Sequence, residues 1–329
     1  IDDYLYPEPQ DSFNIESFDY KPKSGAIFVL PLTKEYQDNL DDFSKRLFDV
    51  DEKILLFLSN LRKIHFIDAT KKTVSKWSYE RITDGDLESL INTKTDYKDT
   101  WRVFKKIIQV EDKSLIKGVE DKEEIEKTTI IVAFPSPNIE SINKCKSEPL
   151  YCYLPTEKPV HLPFILQADF IPNAGRNDID NKPIWNTWLF KKLAQHTAES
   201  IIKLQDDKLY FKLFYELIPI TSDYYDKEII EKFLTPLHNS LNNKEIVYCK
   251  DTSWHKVENS TLVESDLDEL IGVDDCKAIY EGSVFPALVS IFTDSVKDVL
   301  SSFEISRIDI NDIGLLFKNH NSLTKKSYD

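Results

Sequence analysis

Three apolar segments followed at once by a long amphipathic segment constrain the fold of this chain more than any other feature. The segments TTIIVAFP (128–135), LYCYLPT (150–156) and LPFILQADF (162–170) predict strands, because each is short and rich in β-branched or aromatic side chains. In residues 183–205 apolar side chains recur at helical spacing, which predicts a helix that packs on those strands. The combination predicts an α+β protein whose sheet carries helices on one face.

The segments on either side extend this pattern. KILLFLSNLRKIHFI predicts a helix that runs into a strand, residues 72–110 predict a β-meander, and EIVYCKDTSWHKV predicts a hairpin. We therefore predict three domains in the 329 residues: an arm with one terminal strand over 1–50, the sheet with its helices over 51–205, and a mostly helical unit with one hairpin over 206–329.

Composition argues against several classes of function. The formal net charge of −15, with no long basic run, argues against non-specific nucleic-acid binding, which depends on clustered lysine and arginine. No stretch has the ~20 apolar residues needed to cross a bilayer, so no membrane role is expected. Four cysteines without paired spacing, and no HExxH, predict no metal site and free thiols in a reducing compartment, which indicates a cytoplasmic protein. A free-standing hydrolase is disfavoured because no GxSxG motif occurs.

The strongest candidate for chemistry is Arg176, in the loop IPNAGRNDIDNK between the predicted strand and helix. A guanidinium in an exposed loop offers a fork of donors that suits the spread charge on a phosphoryl group in transfer. A structural role, in which Arg176 pairs with Asp178 or Asp180, is the alternative, and spacing alone favours it.

A resemblance changes that balance. LPFILQADFIPNAGRNDID followed by WNTWL resembles the arginine loop of sacsin-like GHKL ATPases, and the middle domain of the ninety-kilodalton heat-shock chaperones. The sacsin-like family has a segment of the form ADF-x-x-x-x-x-R before a helix that carries WN, and in the chaperone middle domain an N-x-x-R turn reaches the terminal phosphate of ATP. The resemblance implies that Asn173 and Arg176 are catalytic. The chain departs from the family at Gly175 and Asn177, where a serine and an acid are usual.

The upstream segment SGAIFVLPL resembles the last strand of a GHKL ATP-binding domain, which implies cofactor-binding positions at Gly25 and Ala26. The family usually has a threonine at the second position, so the adenine contact of that threonine is missing. The sequence has no D-x-G-x-G stretch and no glycine-rich lid. The resemblance therefore implies that ATP and magnesium are bound mainly by an N-terminal domain that this sequence does not contain.

The leading hypothesis is the middle, or transducer, portion of a GHKL-type, chaperone-like ATPase that couples hydrolysis to conformational change. It would hydrolyse ATP only together with that N-terminal domain. The resemblance implies protein clients or partner subunits, including a second copy of the chain, and no direct nucleic-acid contact. The alternative is a non-catalytic protein-interaction module attached to a degenerate ATPase domain, which the alanine at position 26 favours.

Overall fold

The chain divides into two compact units, residues 1–50 with 70–72, and residues 51–69 with 73–329. Within the first unit only Lys34 and Val50 are described, so the predicted terminal strand at 24–32 lies outside the described residues. The computed structural model describes residues 34, 50–68, 75–116, 124–175, 177–180, 182–221, 225–264, 267–280, 284–308, 312 and 314.

The second unit is an α+β structure built on a mixed sheet. In the described part of the chain the sheet has eight strands in the order β1-β2-β3-β4-β5-β8-β6-β7. Neighbouring strands are antiparallel except β6 and β8, which are parallel. The strands are β1 Lys63–Asp68, β2 Ser75–Asp84, β3 Leu87–Asn92, β4 Tyr97–Gln109, β5 Lys127–Phe134, β6 Pro149–Cys152, β7 Leu154–Pro159 and β8 Ile165–Gln167.

Strands β2 to β4 form the meander predicted over 72–110, β1 confirms the strand predicted before it, and the turn between β2 and β3 follows from local sequence. Asp84 pairs with Leu87 across a two-residue loop, and Gly85 in that loop has a φ of 60°. Short hairpin loops require positive φ, which glycine adopts without strain. Along β3, more deeply and less deeply buried residues alternate, as expected for a strand with one face on a core.

Helix α3, Ile184–Lys203, confirms the predicted helix over 183–205. It follows the turn α1, Ile54–Phe57, and the short helix α2, Ile139–Cys145. Its buried side chains join one apolar cluster with the sheet, and the cluster continues as far as Ile305. On β4, Phe104 belongs to this cluster while its neighbour Val103 is buried outside it, so both faces of the sheet are covered at this strand.

The predicted strand over 150–156 is wrong in one respect, because the chain reverses within it. Tyr153 has a φ of 66° and separates β6 from β7, which pair with each other as a hairpin. The predicted strand over 162–170 is shorter than expected, since only Ile165–Gln167 is paired in the sheet.

The C-terminal part contains the predicted hairpin and, in addition, a small sheet that the sequence did not predict. The hairpin consists of β9 Glu245–Tyr248 and β10 Trp254–Lys256. The small sheet places β11 between β12 and β13, and both pairings are parallel. Its strands are β11 Ser260–Val263, β12 Phe285–Pro286 and β13 Ser306–Ile308. The helices of this part are α4 Lys227–Ile229, a π-helical segment Ile230–Leu234, α5 Thr235–Asn242, α6 Val273–Tyr280 and α7 Ser295–Ser302. Among the described residues, no helix is long and apolar enough to cross a bilayer.

A buried histidine on α3 predicts a pH-dependent stability. His196 Nε2 donates to the Phe104 carbonyl oxygen at 3.0 Å, which leaves Nδ1 buried and without a hydrogen-bond partner among the described residues. Burial lowers the pKa of His196 below its usual 6.5, although the Phe104 hydrogen bond opposes that effect. The unfolded chain therefore binds a proton that the folded chain rejects, and stability falls as pH drops below about 6.5.

We expect the free energy of unfolding to fall by up to ~1.4 kcal/mol per pH unit for each such histidine as pH drops below about 6.5. Urea unfolding at closely spaced pH values measures this slope. The variant His196→Gln, whose amide can still donate to the Phe104 carbonyl, should show a shallower slope. Some slope should remain, because burial also lowers the pKa of His238. An unchanged slope in the variant would show that His196 does not titrate differently on folding.

Candidate functional site

The loop between β8 and α3, residues 168–183, is held at its base by two consecutive residues of the helix. Asn186 Oδ1 accepts a hydrogen bond from the Ile171 amide at 2.8 Å. Its Nδ2 donates to the carbonyl oxygens of Ile171 at 2.8 Å and Asp180 at 2.6 Å. Trp185 Nε1 donates to the Asp169 carbonyl oxygen at 2.7 Å. Both side chains are buried, so the base of the loop is fixed from inside the protein.

Between these anchor points the loop folds back on itself as a narrow hairpin. Pro172 and Ile179 form an isolated antiparallel bridge. The Asn173 amide donates to the Asp178 carbonyl at 2.9 Å, and the Asp180 amide donates to the Ile171 carbonyl at 3.0 Å. This hairpin places Ala174, Gly175 and Asn177 at its tip.

The tip carries the predicted site, but the key residue lies outside the described part. Arg176 is not described, and its sequence neighbours Gly175 and Asn177 are both exposed at the tip. Asn173 Nδ2 donates to Asn177 Oδ1 at 2.6 Å, so the Asn173 side chain bonds within the loop. A Cβ built on Gly175 would meet no atom closer than 3.6 Å, so space alone does not require glycine where the resembling families carry serine.

The neighbouring strand β7 flanks the tip and contributes a lysine, Lys158, to it. The Glu157 amide donates to the Asn177 carbonyl oxygen at 3.0 Å. Lys158 Nζ lies 3.6 Å from Asp178 Oδ2 and 2.5 Å from Asp226 Oδ2. The hydrogen bond to Asp226 raises the pKa of Lys158, and the same contact lowers the pKa of the Asp226 carboxyl group. A shallow depression of about 320 Å³ at the tip is lined by Glu157, Lys158, Asn173, Asn177 and Asp178.

Gly25 and Ala26 lie outside the described residues, so their predicted nucleotide contact stays a prediction. Across the described ranges, no group of three or more His, Cys, Asp or Glu side chains is arranged to hold a metal ion. Cys145, Cys249 and Cys276 are buried free thiols, as the sequence predicted, and Cys152 is only partly buried.

Sequence reasoning missed two features of this loop. The Trp185–Asn186 pair was noticed as a motif, but its role as the anchor of the loop depends on backbone atoms that no pattern displays. Lys158 gave no signal, because it is one of many lysines and its partner Asp226 is 68 residues away. Comparisons with protein-family models, with curated proteins and with solved structures find no match to this chain.

Proposed function

We propose that this chain is the middle, or transducer, portion of a GHKL-type, chaperone-like ATPase, in which the loop 168–183 presents Arg176 to the γ-phosphate of ATP. The observation that supports this proposal most strongly is the anchoring of that loop. Asn186 hydrogen-bonds three backbone groups at the base of the hairpin, and Trp185 bonds a fourth. A loop held in this way is suited to positioning a charged group at its tip.

The chemistry of such a loop is electrostatic. The guanidinium stays charged at every physiological pH and can donate to two phosphate oxygens at once. Negative charge grows on the phosphoryl oxygens during transfer, so a fixed guanidinium stabilises the transition state more than the ground state. Because the base of the hairpin is already ordered, little additional ordering of the loop would oppose this contact.

The described residues of the loop do not themselves form a cradle for a nucleotide. Two of the side chains that line the depression at the tip, Glu157 and Asp178, are acids. The lysine in that lining, Lys158, already faces Asp178 and Asp226. In the proposed arrangement a separate GHKL domain therefore holds Mg-ATP, and this chain contributes the arginine and couples hydrolysis to movement of its C-terminal part.

A second candidate function, a protein-interaction module, is supported by a partly exposed group of aromatic rings. The aromatic-rich segment 208–215 is a sequence candidate for such a surface, but its Tyr210, Phe214 and Tyr215 are buried. Phe211 of this segment is partly exposed and groups with the partly exposed rings of Tyr248, Trp254 and Phe292, with ring centroids 5.1–6.2 Å apart. Half-exposed aromatic side chains are enriched at protein interfaces.

ATP hydrolysis by the intact protein separates the two functions. If the transducer proposal is correct, the protein that carries this chain together with its nucleotide-binding domain releases phosphate from ATP in a magnesium-dependent reaction. Steady-state phosphate release and equilibrium ATP binding should both be measured. If the intact protein neither binds nor hydrolyses ATP, the transducer role is ruled out and the interaction module is the better description.

A further inference from the structure

Lys158 lies between two elements that are distant in sequence. One is the hairpin loop, through Asp178, and the other is the start of α4, through Asp226. Asp226 is also the N-cap of α4, where its Oδ1 accepts from the Glu228 amide at 3.3 Å. The three side chains border a cleft of about 90 Å³ that extends to Phe190 and Ile229. Both elements therefore meet at one ammonium group.

We propose that Lys158 is a positioning residue for which Asp178 of the loop and Asp226 at the start of α4 compete. The position of α4 then determines how firmly the loop is held. The Lys158 ammonium lies closer to Asp226 than to Asp178, at 2.5 Å against 3.6 Å. The ion pair between Lys158 and the loop is therefore the weaker of the two. When α4 moves away, the ammonium is free to close on Asp178.

The electrostatics favour competition over simple bridging. The side chains of Lys158, Asp178 and Asp226 are 51%, 37% and 43% exposed, so each ion pair is solvated and individually weak. Two carboxylates beside one cation also repel each other. Removing the charge of Asp226 therefore releases the ammonium and removes a repulsion, and both effects strengthen the contact with Asp178.

The local coupling stands on these contacts alone, whereas its use in an ATPase cycle rests on the proposed function. In that cycle Asp178, two residues after Arg176, would be held more firmly when α4 releases Lys158. A change in the C-terminal part of the chain would thereby alter the order of the arginine loop. Lys158 thus links the arginine loop to the C-terminal part of the chain in the proposed cycle.

Amide hydrogen exchange of the nucleotide-free protein tests the coupling without any assay of ATP hydrolysis. The reporters are the amides of Glu157, Asn173 and Asp180, each of which donates within or to the loop. In Asp226→Asn we expect these amides to exchange more slowly by roughly two- to fivefold, as a weak ion pair implies. Asparagine is as good an N-cap as aspartate, so α4 keeps its cap.

One further variant, one control variant and a salt dependence complete the test. Lys158→Ala should speed exchange at the loop reporters and at the Ile230 amide, which donates to the Asp226 carbonyl. Glu231→Gln, the same loss of charge at an exposed position of the following segment, should leave the loop reporters unchanged. The slowing in Asp226→Asn should shrink in ~1 M salt. Unchanged or faster loop exchange in Asp226→Asn would overturn the proposal, whatever the ATPase assay shows.

Discussion

Replacing Arg176 with alanine is expected to lower kcat for ATP hydrolysis by the intact protein by about 10³-fold or more, with little change in ATP affinity. An arginine that meets the transferring phosphoryl group contributes ~10³–10⁵ to the rate, because it stabilises charge that develops only in the transition state. The nucleotide is held mainly by another domain in the proposed arrangement, so its dissociation constant should change little. Single-turnover hydrolysis and equilibrium nucleotide binding measure the two quantities separately.

Two companion variants make the result specific. Arg176→Lys keeps the positive charge but loses the planar fork, so it should recover only part of the rate. Lys182→Ala removes a cation from the same loop at an exposed position and should leave kcat within about twofold of the parent, because exposed charges at a distance are screened. Hydrolysis that continues unchanged in Arg176→Ala would eliminate the catalytic role. A weaker affinity with an unchanged kcat would assign the arginine to binding alone.

Replacing Asn186 with alanine is expected to destabilise the protein by about 3 kcal/mol. The side chain is 1% exposed and makes three hydrogen bonds to the backbone of the loop. Alanine would leave the Ile171 amide and the carbonyl oxygens of Ile171 and Asp180 without these partners, and unpaired buried backbone groups are costly. Urea denaturation with a linear extrapolation measures the loss.

The matched control is Asn239→Ala, the same substitution at an exposed position of helix α5, which should change stability by less than about 0.5 kcal/mol. Asn186→Asp gives a second comparison. The aspartate keeps an acceptor for the Ile171 amide, but its second oxygen replaces the Nδ2 donor and faces the carbonyl oxygens of Ile171 and Asp180. Because these oxygens repel one another, Asn186→Asp should also be strongly destabilising. A loss below about 1 kcal/mol in Asn186→Ala would mean that water or a backbone shift replaces the hydrogen bonds.

Periodicity alone predicted the parts of the fold that bury a continuous apolar face. Helix α3 was correct within two residues at each end because its apolar positions recur over five turns, and β5 was correct because its run is apolar and ends at Pro135. The hairpin β9–β10 was correct because apolar and polar residues alternate on both sides of a polar turn. In each case the local signal and the tertiary burial point the same way.

The rest could not be predicted because the deciding interactions are not local. The reversal at Tyr153 uses a positive φ that tyrosine rarely adopts, so no turn signal marks it. Strands β11 to β13 are two to four residues long, and pairs of that length leave no measurable period. For the candidate site, the sequence singled out the loop, and the role of Arg176 stays a prediction because that residue lies outside the described part of the chain. The roles of Asn186 and Lys158 depend on contacts with distant backbone and side-chain atoms, which no sequence pattern displays.

Helix α3 connects the hairpin loop directly to the start of strand β9. Asn186, in the first turn of this helix, hydrogen-bonds the loop. The helix has 20 residues and spans ~30 Å along its axis. Just beyond its other end, Gln205 Nε2 donates to the carbonyl oxygen of Glu245 at 2.5 Å, at the start of strand β9. A displacement of the loop would therefore be transmitted along this helix to the hairpin β9–β10, which carries Trp254.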